Sequence, residues 1–221
     1  MNSIYVVAVD GPAGAGKSSI CKEAAKRLGI LHLDTGATYR TLALGLLRKG
    51  VDINDDKAIE AQLDKIDVTI GFEDGRQIMY LDGEDVTGSI RTGEVSMAAS
   101  VTSKNAKVRE KLVALQRQTA ERISMIVDGR DICTNVFPNT PYKFYITVSV
   151  EERARRRALQ IKEMGVAFDE KTLQQEIEER DHNDMTRDIS PLRVDPDAVV
   201  IDNTNITQEQ AVELMLSYIG K

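Results

Sequence analysis

The 221 residues carry 42% hydrophobic and 29% charged side chains with a formal net charge of −6, a soluble globular balance that argues against a general nucleic-acid binder, which shows a basic excess. At about 150 residues per domain the length fits one large unit, and no apolar stretch is long enough to cross a bilayer. Two cysteines and two histidines are too few for a disulfide framework or Cys/His zinc chemistry, and no basic segment precedes the first apolar run, so a cytoplasmic protein is expected, with neither membrane nor nucleic acid as partner.

Ile4 to Val9 (IYVVAV) is a β-branched apolar run, the pattern of a strand buried on both faces of a parallel sheet. A glycine-rich turn follows. Ile20, Ala24, Ala25 and Leu28 then recur on one helical face over Lys17 to Leu28, and Gly29 is placed to end that helix. Ile30 to Leu33 reads as a second strand and Gly36 to Leu47 as a second helix. Strand, glycine turn, helix and strand open a doubly wound α/β fold.

The middle of the chain changes rhythm. Residues 67–72 and 77–81 are short runs, the first alternating, with Asp74-Gly75 and Asp82-Gly83 after them, a hairpin signal. A small antiparallel insertion is expected over 65–88. Helices are expected over 92–101 and 106–122, strands over 124–127 and 142–148, and charged helices over 150–164 and 170–181. A strand at 198–201 and a helix at 208–218 complete the pattern.

Gly11-Pro12-Ala13-Gly14-Ala15-Gly16-Lys17-Ser18 satisfies G-x-x-x-x-G-K-[ST] at every fixed position. It follows a β-branched strand and precedes an amphipathic helix, the context that separates a phosphate loop from a chance glycine turn. Glycines let backbone N–H groups approach phosphate oxygens, and the helix start turns its positive end to the same place. Lys17 is suited to the β/γ-phosphates, and the Ser18 hydroxyl to a Mg²⁺ that bridges them. Asp128 ends the apolar run Ile126-Val127 and is a second candidate for orienting the metal.

The loop alone does not fix the reaction. An Asn-Lys-x-Asp guanine-reading motif is absent from the sequence, which speaks against a GTPase. Two further anion-binding candidates stand at strand ends: Arg40 in Asp34-Thr35-Gly36-Ala37-Thr38-Tyr39-Arg40, and Arg130 in Asp128-Gly129-Arg130-Asp131. Open α/β sheets bind ligands at such carboxyl ends, so both arginines are expected to converge on one acceptor phosphate. Arg153, Arg156 and Arg157 lie three and four positions apart in Glu151–Arg157. Such a cluster fits closure over a triphosphate, although a charge run of this kind is also what a solvated helix with internal ion pairs carries.

GPAGAGKSS, LDTGATYR, DGEDVTGSIRT, VDGRDI, EERARRR and EERDHNDMTRDISPL occur in this order. Together they resemble the bacterial cytidylate kinase family over essentially the whole chain. The resemblance implies a phosphate-loop NTPase fold of three layers: a parallel-sheet core (1–64, 89–149 and 185–221), an antiparallel monophosphate-binding insertion (65–88) and a helical lid (150–184). It implies Mg²⁺ with ATP as donor, and CMP or dCMP as acceptor. Gly11 to Ser19 and Arg156 would hold ATP, with Lys17, Arg130, Arg153 and Arg157 catalytic. Tyr39, Arg40 and Arg130 would hold the acceptor phosphate, and Ser100, Arg109 and Asp131 would read cytosine. Thr35, Arg180, Asp184 and Arg187 would contact the acceptor's sugar and phosphate side. Thr35 stands where some members carry serine. Read without the family, Asp184 and Arg187 form an ordinary i, i+3 ion pair.

A phosphate acceptor is already anionic near neutral pH and needs no general base, which suits a chain with no histidine beside the loop. Water must be kept out, so closure of the segment near 150–166 is expected, with Gly165 as hinge. A monomer is expected. The competing readings are a kinase for UMP or a hydroxyl-bearing metabolite, and a nucleotide sensor without turnover.

Overall fold

The computed structural model describes residues 4–163 and 169–220. In chain order the elements are β1 (Val6–Asp10), α1 (Lys17–Leu28), β2 (Leu31–Asp34), α2 (Thr35–Arg48), α3 (Asp56–Glu60), β3 (Val68–Glu73), β4 (Arg76–Leu81), β5 (Glu84–Asp85), α4 (Gly93–Thr102), α5 (Ala106–Ala120), β6 (Met125–Asp128), β7 (Tyr142–Thr147), α6 (Val150–Glu163), α7 (Glu170–Thr186), β8 (Val199–Asp202) and α8 (Gln208–Ile219). They form a five-stranded parallel sheet of order β2-β6-β1-β7-β8 and a three-stranded antiparallel sheet β3-β4-β5. The α/β expectation therefore holds. The hinge expected at Gly165 lies outside the described residues.

The chain divides into two compact units, one of Gly29–Val127 with the residues up to Val6, the other of Val7–Leu28 with Asp128 onward. In the first unit, Asp74-Gly75 and Asp82-Gly83 all take positive φ. These are the two-residue turns that match strand twist, and they fold β3, β4 and β5 into a meander. Its register sets Ile70 opposite Met79 and Val68 opposite Leu81. The meander closes over α2: Leu42, Leu46, Ile66, Met79, Leu81 and Leu112 form one buried cluster. Side-chain caps start the helices here: Asp34 for α2, Thr92 for α4 and Asn105 for α5 each accept from a backbone N–H of the first turn.

In the second unit β1, β7 and β8 pair in parallel, with Val9 opposite Phe144 and Tyr145 opposite Val200. Val7, Ala8 and Val9 are fully buried, as a strand covered on both faces requires. α1 packs on α8, and Arg27 bridges them through Glu209 and Glu213. α7 runs to Thr186 rather than stopping at Asp181. His182, Asn183, Asp184 and Thr186, all weak helix formers, stay helical with Asp184 tied outside its own helix, to Arg130 at 2.8 Å.

Gly45 marks the tightest fit of α2. A Cβ there would come within 2.9 Å of Ile66 and 3.0 Å of Leu81, both buried and unable to swing away. Gly45→Val is expected to destabilise the protein by about 1–3 kcal/mol through overpacking, read as a lower urea midpoint with an unchanged denaturant slope.

Candidate active site

The loop after β1 is shaped by contacts on its carbonyl side. Gly11 has φ +146°, and a Cβ would sit 2.0 Å from the Ile146 carbonyl oxygen, so only glycine fits. Lys17 Nζ donates to the carbonyls of Gly11 and Pro12, both at 2.7 Å. Arg153 Nη1 donates to Ala13 O at 3.1 Å, and Asn203 Nδ2 to Ala15 O at 3.3 Å. With these carbonyls held by donors, the nest of N–H groups that such a loop builds is what it offers to an anion.

Lys17 is buried. Desolvation, then the nearby Arg130 charge, lowers its pKa to about 7, against smaller opposing effects of Asp128, Cys21 and Asp10. Ser18, in the first turn of α1, donates its hydroxyl to Asp128 Oδ2 at 2.9 Å. The two residues expected to orient a metal are thus together at one point. Among the described residues no group of three or more His, Cys, Asp or Glu could hold a metal. A metal here would take most of its ligands from phosphate and water, as Mg²⁺ does.

Asp10, at the end of β1, is a residue the sequence reading missed. It is fully buried and accepts from the N–H groups of Ile132 and Cys133, both at 2.8 Å. Burial pushes its pKa up to about 6 against those two bonds. The folded carboxyl thus holds its proton above the ordinary range, so its contribution to stability is present at low pH and is lost as pH rises towards 6. The signal was available: an aspartate closing a buried apolar strand must find donors. Its two bonds start the π-helical turn Ile132–Val136 and so fix Arg130 and Asp131 just before it.

Ion pairs also order the arginines after β6 and on α6. Arg130 Nε pairs with Asp184 at 2.8 Å, and Arg187 Nη2 with Asp131 at 3.4 Å. Asp184 and Arg187 thus each face a neighbour in the segment after β6, a longer-range pairing than the i, i+3 reading considers. Arg153 forks onto Asp181, with Nη1 to Oδ1 at 3.0 Å and Nη2 to Oδ2. Asp181, one turn before Asp184, was also not foreseen. Arg156 bonds Glu152 at 2.9 Å and the Asn203 carbonyl at 2.9 Å. Arg153 is buried, whereas Arg157 is exposed on the same helix. Arg153 is buried and Asp181 half-buried, so removing the carboxylate would leave a buried guanidinium without its partner. A cleft of about 730 Å³ opens beside the loop, lined among others by Gly14, Gly16, Arg156, Arg157, Asn203 and Gln208. Arg180 lies on the exposed side of α7.

The other predicted residues gather in the first unit. Asp34 Oδ2 accepts from Arg40 Nη2 at 2.8 Å. Thr35 is buried in the first turn of α2. Arg109, 4% exposed, stacks over the Tyr39 ring at 5.7 Å from its centre. Ser100 lies half-buried on α4, which packs against α2. Thr38 Oγ1 donates to Thr35 O at 2.7 Å and accepts from Gln116 Nε2 at 3.0 Å, a tie from α5 to the start of α2 that the sequence did not reveal.

A family model described as "Cytidylate kinase" matches residues 7–221. The cytidylate kinase of Caldicellulosiruptor bescii is 48% identical over 215 residues, 97% of this chain and 95% of that protein. The cytidylate kinase of Bacillus licheniformis is 43% identical over 223 residues, 100% of this chain and 98% of that protein. The crystal structure of an uncharacterized protein from Eubacterium ventriosum matches with a TM-score of 0.52, covering 98% of this chain and 99% of that one at 12% identity. That likeness concerns the fold alone.

A phosphate beside Lys17 favours the protonated amine, so it draws the pKa up from about 7. Binding a triphosphate above neutral pH is then expected to take up a proton, and affinity is expected to fall as pH rises above 7. Calorimetry in buffers of different ionisation heat at pH 8 checks the uptake. Lys17→Met is expected to remove it.

Proposed function

This chain belongs to the cytidylate kinase family, and from that premise we propose that it moves the γ-phosphoryl group of ATP onto CMP or dCMP, giving ADP and CDP or dCDP. The observation that carries the reading is the phosphate loop with buried Lys17, with Arg130 near Lys17, Arg153 bonded to Ala13 O and Arg156 beside Gly16 in the same unit. So much positive charge suits two phosphates brought together rather than a neutral acceptor.

On this reading the triphosphate lies on Gly11 to Ser19, with Lys17 on its β/γ end and Arg153, Arg156 and Arg157 neutralising the transferring group. Ser18 and Asp128 suit Mg²⁺, since their oxygens already meet at 2.9 Å; the metal, when bound, offsets charge on the β- and γ-phosphates. Tyr39, Arg40 and Arg130 hold the acceptor phosphate. Asp131 accepts from the cytosine amino group, which uracil lacks, with Ser100 and Arg109 completing the base contact. Thr35, Arg180, Asp184 and Arg187 face the sugar and its phosphate.

The acceptor oxygen is anionic without a base, so the protein contributes position and countercharge. Residues 65–88 form the monophosphate-binding insertion and 150–184 the lid that excludes water. The chain supplies every group this scheme needs, which supports a monomeric, soluble enzyme.

The test is ADP release from Mg-ATP with CMP, dCMP, UMP, AMP and GMP as separate acceptors. Fast turnover with CMP and dCMP and slow turnover with UMP is the expected result. Asp131→Ala should lower kcat/KM for CMP by about 10- to 100-fold, the discrimination of one good base contact, while leaving the ATP KM in place. Turnover with another monophosphate alone would overturn the base assignment, and silence with all five would overturn the kinase reading.

A further inference from the structure

The antiparallel meander packs its apolar face on α2 and also reaches the end of β2 through a polar side chain. Gln77 on β4 accepts from the Asp34 backbone N–H at 2.8 Å, and its Nε2 donates to the Asp34 carbonyl at 3.2 Å. The carboxamide thereby grips one residue as a neighbouring strand would. Its orientation follows from chemistry, because a backbone N–H only donates and a carbonyl only accepts. Nε2 also faces the Met79 sulfur at 3.0 Å.

Asp34 is the residue through which this grip acts. Its Oδ1 caps α2 by accepting from Ala37 N at 3.2 Å, and its Oδ2 holds Arg40 Nη2 at 2.8 Å. The guanidinium is seated over the first turn of α2, where a Cβ on Gly36 would come within 3.0 Å of Arg40 Nη1. The main chain of Asp34 is fixed by β4, and its side chain fixes Arg40. An arginine on a long flexible stem is thus aimed from a different sheet.

We infer that Gln77 is a positioning residue for the acceptor phosphate, acting through Asp34 on Arg40, so that the meander sets the aim of the arginine as well as covering α2. This rests on the reading of Arg40 as a phosphate ligand, and the test separates the two. KM for CMP and for ATP is measured for Gln77→Met, Arg40→Ala and the double variant. Gln77→Met should raise the CMP KM by about tenfold and leave the ATP KM unchanged. In the Arg40→Ala background it should add nothing, because the group it aims is gone.

An unchanged CMP KM in Gln77→Met overturns the inference, as does the same rise in both backgrounds, which is what a merely structural role would give. An unchanged CMP KM in Arg40→Ala overturns the phosphate reading of Arg40 itself. If Gln77→Met does not fold, Gln77→Glu serves. It keeps the acceptor for the Asp34 N–H, sets a carboxylate against the Asp34 carbonyl, and should show the same dependence on Arg40.

Discussion

The arginines at the strand ends and helix ends of this protein must be balanced by the protein itself, and much of the structure follows from how this is done. Asp181 holds Arg153, Asp184 holds Arg130, Asp131 holds Arg187 and Asp34 holds Arg40. Each carboxylate offsets the desolvation of a cation and fixes its direction. A phosphate group presents the same oxygen geometry to a guanidinium fork as a carboxylate does. The same arrangement that steadies the fold therefore keeps the arginines oriented for anionic ligands. Lys17 is treated differently: it donates to the loop carbonyls of Gly11 and Pro12, and burial loosens its proton.

Backbone geometry transmits this balance. Asp10 ends β1 and collects two N–H groups of the turn after β6, so the strand that launches the phosphate loop also sets the start of Arg130-Asp131. Asn203 ends β8 and joins three elements: its N–H donates to Thr147 O, its carbonyl accepts from Arg156, and its amide reaches Ala15 O. Strand ends of one sheet thus hold the loop and the arginine helix in register. A site built on strand termini inherits the rigidity of the sheet.

On the acceptor side the same economy appears within the first unit. Gln77 braces Asp34, Gln116 braces Thr38, and Tyr39 lies under Arg109. All three contacts converge on α2, which carries Thr35, Tyr39 and Arg40. The helix is buried on the meander side through Leu42 and Leu46, and the polar groups of its first turn are held by Asp34 and Gln116.

What the sequence alone determined is what is local. The phosphate loop, the span of α1 at Lys17–Leu28, the two Asp-Gly turns and the alternation of strands and helices rest on residues within a few positions of each other, where backbone preference and periodicity decide. The motif order carried the family. Tertiary structure decided the partners of the charges. Asp184 pairs with Arg130, 54 residues away, and Asp181 carries no local signature of its tie to Arg153. Asp10 did stand at the end of a buried apolar strand, a local sign that it needs donors, but which N–H groups supply them was not written locally. A helix end such as Asp181–Thr186 was legible only after those ion pairs were known. Charge pairing over such distances depends on which strand ends the fold brings side by side, and propensity within a single segment holds no information about that.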